Sequence, residues 1–223
     1  MRTILVGMFC LFLMSCSEFF SEDVSDKLIT INSPSDSLFT QSGEITFWWE
    51  EDREVENYRF QLVSPSFDKP DFIFDTLTSI NELRLGLTQG VHAWRIRAEN
   101  VDTESAWFHR FLVVDTLPPL VPVLTSPAQN DTMDLQSGNL KFRWQSSDVP
   151  IDGNTFSVID SLLIMEEDRL LFSTTTISPF EANDMLAEFK FGPSPKELDW
   201  QIISIDLAGN TSESVKVRFT LIP

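Results

Sequence analysis

Apolar and polar residues alternate along several short segments of the chain. In one segment, Ile45, Phe47 and Trp49 share one face, while Thr46 and Trp48 share the other. Alternation of the same kind occurs in residues 58–62, 94–98 and 140–144. A period of two with one apolar face is typical of strands that are half buried in antiparallel sheets. No segment has a convincing helical period, so the pattern predicts an all-β protein.

The alternating segments belong to two copies of one unit. Three features of the first half recur in the same order in the second half: Ser33-Pro34 as Ser126-Pro127, residues 45–49 as 140–144, and Trp94-Arg95-Ile96 as Trp200-Gln201-Ile202. About seven short strands per copy predict a sandwich of two antiparallel sheets. We therefore predict tandem β-sandwiches over residues 28–116 and 123–223. The linker between them, residues 117–122, contains three prolines and should be extended and stiff.

The order of the predicted strands resembles a known family. Each copy has an aromatic-x-Trp strand, then an aromatic-led strand, then a Trp-x-Ile strand and a polar loop. This order is similar to that of bacterial fibronectin type III and related immunoglobulin-like modules. The resemblance implies that Trp49 and Trp144 pack in the two cores. It also implies a protein that binds, spaces or displays, and that is not an enzyme.

The second copy departs from the pattern at Asp160. Strict alternation after Phe156 and Val158 turns Asp160 inward, which is costly for a carboxylate without a partner. We expect a bulge or break at this position. Beyond it, residues 162–173 predict a hairpin whose turn is Glu166-Glu167-Asp168-Arg169.

The N-terminal residues predict export and lipid attachment. Arg2 precedes an apolar run, residues 4–14, that is too short to cross a membrane and is followed by Ser15-Cys16. This arrangement resembles a bacterial lipobox, which implies a signal peptide over residues 1–15 and acylation of Cys16. The alternative is a soluble secreted protein in which Cys16 follows the cut by chance.

Residues 16–27 predict an acidic tether. The segment has no apolar period and contains four acidic side chains. It resembles the signal that exports lipoproteins of Bacteroidota-type bacteria to the outer surface, and the alternative is a plain charged linker. The expected location is the outer membrane, with a lipid anchor and exposure at the cell surface.

The charge and the cysteine count exclude several functions. Removal of residues 1–15 changes the net charge from −18 to −19, because Arg2 is the one charged residue lost. Such a charge argues against nucleic acid or an anionic lipid surface as a direct partner. The chain's two cysteines are Cys10 and Cys16, so the folded part has no thiol for a disulfide, a metal site or a nucleophile.

Candidate chemistry is sparse, and we expect no cofactor and no bound metal. His92 and His109 are the two histidines, and they belong to no catalytic motif. The clusters Glu50-Glu51-Asp52 and Glu166-Glu167-Asp168 contain oxygen ligands of the kind that calcium prefers, but neither has the spacing of a calcium loop. Solvated turns are the favoured interpretation of both clusters.

Two tryptophans are candidate binding residues. If Phe47 and Trp49 are in the core, Trp48 points outward, where an indole ring can stack on a sugar or anchor a partner protein. Trp107, near the start of the last strand of the first copy, could join it. The alternative is that a loop or the second module covers these rings.

Asp-Ser and Asp-Thr pairs followed by an aliphatic residue, Met or Thr are more frequent than the composition predicts. They resemble the O-glycosylation acceptors of exported proteins of Bacteroidota-type bacteria. The acceptor candidates are Ser37, Thr76, Thr116 and Thr132, with Ser161 the weakest because of its predicted strand. The alternative is that such pairs are common in turns.

These features support two hypotheses of function. The first is a non-enzymatic accessory or structural lipoprotein that docks on another envelope protein. The second is a surface glycan-binding lipoprotein of a polysaccharide-uptake system. The second module is another plain sandwich and adds no dedicated carbohydrate-binding domain, which favours docking.

The lipobox generates a first testable prediction. The variant Cys16→Ser should leave an unlipidated precursor, which cell fractionation should recover in the soluble or inner-membrane fraction. Partition of the variant with the outer membrane, as for the unchanged protein, would show that Cys16 is not the anchor.

Overall fold

The computed structural model describes residues 21–137, 140–181 and 194–222. Cys16 and the signal segment therefore lie outside the described residues. The strands are β1 Ile31–Ser33, β2 Leu38–Thr40, β3 Glu44–Trp49, β4 Asn57–Ser66, β5 Lys69–Thr78, β6 Glu82–Gly86, β7 Gly90–Glu99, β8 Phe108–Val114, β9 Val123–Ser126, β10 Asp131–Asp134, β11 Lys141–Gln145, β12 Ile159–Glu166, β13 Arg169–Thr176, β14 Phe180–Glu181, β15 Lys196–Ile205, β16 Thr211–Glu213 and β17 Val217–Ile222.

The chain is all-β and forms two β-sandwiches in tandem. In the first module a three-stranded sheet, β1-β3-β6, faces a five-stranded sheet, β2-β8-β7-β4-β5. In the second module β14-β11-β9 faces β10-β17-β15-β12-β13, and β16 pairs with β15. The strands are antiparallel except that β2 runs parallel to β8, and β10 parallel to β17.

One short 3-10 turn, Leu135–Ser137, follows β10. No helix in the described ranges has the length and apolar character needed to span a bilayer.

Aromatic rings fill the core of the first module, as the alternation predicted. Trp49 and Phe47 on β3 are fully buried, and so is Trp94 on β7 of the opposite sheet. The ring of Phe47 lies 5.1 Å from that of Trp94 and 4.9 Å from that of Phe60, both in edge-to-face contact. These contacts join the two sheets through rings that are out of contact with water.

The second core repeats this arrangement with different neighbours. Phe142 is fully buried on β11, and its ring lies 5.1 Å from that of Trp200 on β15. Phe219 on β17 contacts Phe142 from the same sheet as Trp200, at 5.7 Å. Trp144 is 4% exposed, which confirms the inward orientation predicted for it.

The expected bulge or break at Asp160 is wrong. Asp160 pairs with Ser204 in regular register within β12 and β15, and the irregularity of β12 lies further along the strand. Its buried carboxylate accepts hydrogen bonds from Trp144 Nε1 at 2.7 Å and from the hydroxyls of Ser146 and Ser204, both at 2.5 Å. Three donors replace the water that the carboxylate loses, so the strand continues without interruption. The hairpin predicted for residues 162–173 is confirmed by β12 and β13.

Part of the predicted tether lies against the first module. Val24 is fully buried in its core, and its backbone N–H donates to Thr103 Oγ1 at 3.0 Å. The side-chain amide of Asn100 donates to the carbonyl oxygen of Glu22 at 2.8 Å. Because a single buried valine was enough to dock this polar segment, periodicity alone did not reveal it. Residues 21–27 therefore belong to the packed part of the chain.

The two modules contact each other beyond the linker. The rings of Phe39 and Phe156 meet edge to face at 4.9 Å. The backbone N–H of Val91 donates to Asp152 Oδ2 at 2.7 Å. An apolar and a polar contact thus connect the end of the first sandwich to loops of the second.

The buried rings generate a second prediction. In the soluble chain, defined as residues 16–223 with Cys16→Ser, Trp49→Ala and Trp144→Ala should each lower the free energy of unfolding by about 3–5 kcal/mol. Trp48→Ala should cost far less, because Trp48 is 45% exposed while Trp49 is 0% exposed. Urea titrations followed by circular dichroism measure the difference, and equal losses at Trp48 and Trp49 would contradict the face assignment.

The Asp160 network generates a third prediction. Asp160→Ala removes the acceptor of three hydrogen bonds and leaves buried donors unpaired, so it should cost more than about 2 kcal/mol. Asp160→Asn is the matched control, since its amide keeps one acceptor oxygen in the same shape and should cost less. Urea unfolding of the soluble chain gives both values, and a loss for Asp160→Ala no larger than that for Asp160→Asn would refute the role of the network.

Candidate functional site

Trp48 is an exposed aromatic on the outer face of a sheet. It lies on β3, paired with Ser33 on β1 and Glu82 on β6. Glu82 forms an ion pair of 2.9 Å with Arg84 on the same strand. The 45% exposed indole ring thus stands among polar side chains. This arrangement can place an apolar ring against a partner while polar groups surround the contact.

Trp107 has a different environment. It is half-buried just before β8, and the guanidinium carbons of Arg95 and Arg97 lie 4.2 and 4.6 Å from its ring centroids. These arginines occupy the outer face of β7, opposite the inward Trp94. Trp48 and Trp107 are therefore on the outer faces of opposite sheets, and they do not form one platform. The ring of Trp107 is already engaged by cations of its own module.

Arg95 is the centre of that second face. Its guanidinium lies 4.3 Å from the Phe67 ring centroid as well as against Trp107, and it donates to Gln61 Oε1 at 2.8 Å. Burial, followed by the positive charge of Arg97, lowers the pKa of Arg95 from its ordinary value. The same causes, burial first and then the charge of Arg95, lower the pKa of His109. The face is a self-contained stack that stabilises the sheet.

The candidate glycosylation residues lie in unlike environments. Ser37, in the turn before β2, is exposed, as are Thr116 beyond β8 and Thr132 on β10. Thr76 is half-buried on the edge strand β5, where it is paired with the buried Phe60 of β4. An acceptor must be reached by a transferase, so Ser37, Thr116 and Thr132 have the more suitable positions.

Ion pairs engage some of the acids in the two clusters that were considered as calcium ligands. Lys27 pairs with Asp52 at 2.9 Å, and this contact lowers the pKa of Asp52. Glu166 is held by Lys196 at 3.1 Å and by Arg169 at 2.9 Å, and these two contacts lower its pKa. Both clusters lie at the protein surface with a lysine or arginine in contact with at least one of their acids.

Sequence reasoning missed a third acidic group. Asp115 directly follows β8, Asp148 lies in the segment after β11, and Asp206 directly follows β15. Each is 3% exposed, and one carboxylate oxygen of each lies within 4.8 Å of the other two. Burial raises the pKa of Asp115, with the charges of Asp206 and Asp148 adding to it. Burial, and then the charge of Asp206, also raises the pKa of Asp148.

The backbone explains how this group is held. Asp115 Oδ1 accepts from the N–H of Leu117 at 3.1 Å, and Asp148 Oδ1 from the N–H of Val149 at 2.8 Å. Asp206 accepts from both the backbone and the side chain of Asn210, at 2.9 and 2.8 Å. In the sequence, each of these aspartates follows a predicted strand. Sequence alone does not show that the ends of these strands meet in the fold.

His92 lies in the core. It is 2% exposed on β7, and its Nε2 is 2.9 Å from the carbonyl oxygen of Thr88.

A cleft of about 660 Å³ opens in the second module beside Trp144 and Asp160, with Ser146 and Ser178 in its wall. The carboxylate of Asp160 already accepts three hydrogen bonds there. The burial of Asp160 is explained by these three donors.

Solved structures resemble this chain at low sequence identity. No family model and no curated protein matches the chain. Among solved structures it is similar to the fibronectin(III)-like modules of CbhA from Clostridium thermocellum, with 16% identity and a TM-score of 0.41 over 87% of this chain and 93% of that one. It is also similar to the FN1-FN3 domains of chicken CNTN1, with 10% identity and a TM-score of 0.39 over 91% of this chain and 68% of that one.

Proposed function

We propose that this chain is a lipid-anchored accessory protein of the outer-membrane surface, without catalytic activity, that docks on another envelope protein through Trp48. Acyl chains on Cys16 hold it to the membrane, and the first sandwich presents the docking face. The predicted signal segment supports the location, and the exposed indole supports the contact.

The exposure of Trp48 is the observation that carries the docking proposal. A tryptophan that is 45% exposed on a sheet face leaves apolar surface in water, which a partner can bury. Tryptophan is among the residues that contribute most to protein interfaces, particularly when polar neighbours surround it. Glu82 and Arg84 supply such a surround.

The charge of the chain favours a particular kind of partner. With a net charge of −18, the protein repels acidic surfaces and attracts basic ones from a distance. We infer a partner whose docking surface is basic or neutral and contains an apolar recess for the indole ring.

A surface that binds glycan is the second candidate. Sugar rings stack on exposed aromatic faces, and the hydroxyls of a sugar can hydrogen-bond to neighbours such as Glu82 and Arg84. One ring offers little area, and Trp107 lies on the opposite sheet, against Arg95 and Arg97. Protein docking therefore has the stronger support.

A photocrosslinking experiment in intact cells tests the docking face. A photoreactive phenylalanine analogue at position 48 should give one discrete adduct, which mass spectrometry should identify as an envelope protein. Position 143 is the matched control, because Arg143 is the exposed residue next to Trp144 on β11. Trp48→Ala should then weaken binding of that purified protein by at least about tenfold, as expected for a central interface tryptophan.

Two results would contradict the docking proposal. One is the same adduct from positions 48 and 143, or none from position 48. The other is a change in tryptophan emission on titration with soluble polysaccharide that Trp48→Ala abolishes, which would favour the glycan-binding candidate.

A further inference from the structure

Three carboxylates from the two modules converge at the junction. Asp115 ends the first module, where its backbone N–H donates to the carbonyl oxygen of Thr40 at 2.9 Å. Asp148 and Asp206 belong to loops of the second module. A buried group of three acids with oxygens within 4.8 Å of one another is unusual, because ionised carboxylates repel each other and lose their hydration.

One of these oxygens has no partner. Asp148 Oδ2 is enclosed by protein and forms no hydrogen bond with any described residue, while Oδ1 accepts from Val149. No ion pair formed within the described ranges involves Asp115, Asp148 or Asp206. Buried carboxylates are normally paired, hydrogen-bonded or bound to a metal. The unpartnered oxygen of Asp148 is therefore a suitable ligand for a cation.

We propose that Asp115, Asp148 and Asp206 bind one calcium ion between the two modules. Calcium takes six to eight oxygen ligands at about 2.3–2.6 Å, so two oxygens on one ion can be up to about 5 Å apart. The spacing of 4.8 Å or less is within this limit. The absence of nitrogen and sulfur ligands among the three residues also selects a hard cation over zinc or copper.

Ligands supplied by loops favour calcium over magnesium. Magnesium requires a near-ideal octahedron with oxygens at about 2.0–2.1 Å, and it gives up its bound water reluctantly. Calcium accepts irregular geometry, and backbone carbonyl oxygens or water complete its shell. Loops held by hydrogen bonds from Leu117, Val149 and Asn210 suit a flexible coordination number.

The ion would lock the angle between the modules. The side-chain amide of Asn210 already donates to the carbonyl oxygen of Asp115 at 3.0 Å, across the junction. The contact of Phe39 with Phe156 at 4.9 Å lies on the same interface. A divalent ion ligated from both sides adds a bond that neither module can form alone, and it removes the repulsion between the carboxylates. This inference is independent of the proposed docking partner.

Calorimetry tests the binding. The soluble chain, freed of divalent ions with EDTA and then dialysed, should bind one calcium ion per chain with a Kd of about 10⁻³ M or tighter, the range of extracellular modules. Asp148→Asn keeps the shape of the side chain and one acceptor oxygen but removes the charge and the second oxygen, and it should weaken binding at least tenfold. Circular dichroism without calcium checks that this variant is folded.

A matched control separates the site from the general acidity of the chain. Glu167→Gln removes one exposed acid from the turn between β12 and β13 and should bind calcium as the unchanged chain does. Magnesium at the same concentration should bind at least tenfold more weakly. No binding, equal binding by Asp148→Asn, an equal loss in Glu167→Gln, or equal binding of magnesium would each overturn the proposal.

A distance measurement tests the effect on the modules. Spin labels on cysteines that replace Ser79 and Ser173, one exposed residue in each module, report the inter-module distance. Calcium should narrow the distribution of inter-label distances in the chain with the unchanged site. It should leave the distribution in the Asp148→Asn variant as it was. A distribution in the unchanged chain that does not respond to calcium would overturn the claim that the ion joins the modules.

Discussion

Each sandwich depends on the packing of buried rings between its two sheets. Phe47 contacts Trp94 at 5.1 Å in the first module, and Phe142 contacts Trp200 at 5.1 Å in the second. Because side chains of a strand alternate between faces, burial of Phe47 and Trp49 forces Trp48 outward. The exposed indole is thus a direct consequence of the core beside it. Loss of the register would exchange the faces, so the core fixes the candidate docking residue as well as the fold.

The two modules solve one packing problem in two ways. Tyr58 and Asp160 occupy equivalent positions in the two modules. Each lies four residues before the residue that pairs with the tryptophan of the opposite strand, which is Leu62 with Trp94 in the first module and Ile164 with Trp200 in the second. In the first core the ring of Tyr58 packs edge to face on Trp49 at 5.5 Å, and Trp49 Nε1 forms no hydrogen bond with any residue that the structure describes. In the second core Asp160 accepts the N–H of Trp144. Ring packing in one module and a polar network in the other therefore hold equivalent tryptophans.

Sequence patterns predicted what depends on neighbours along the chain. The alternation at residues 45–49, the repeat and the hairpin after Asp160 all follow from local periodicity. The errors occurred where distant residues decide the outcome. Asp160 looked unpartnered because Ser204 is 44 positions away. Val24 looked part of a tether because Thr103, whose hydroxyl accepts its backbone N–H, is 79 positions away. Trp107 was predicted beside Trp48 as a binding residue, but the sheet that each joins can only be known from the topology.

The three acids at the junction are a further group that sequence patterns could not predict, because they meet only in the folded chain. Asp115, Asp148 and Asp206 are spread over more than ninety positions, and each follows a strand for an ordinary reason, since aspartate readily caps turns. They become a chemical group because both sandwiches place these strand ends at one interface. Two modules with a strong negative charge repel each other across such an interface. The three buried carboxylates concentrate that repulsion at the junction. A cation between them would attract both modules instead. The placement of acid where the modules meet therefore makes their relative orientation depend on what neutralises it.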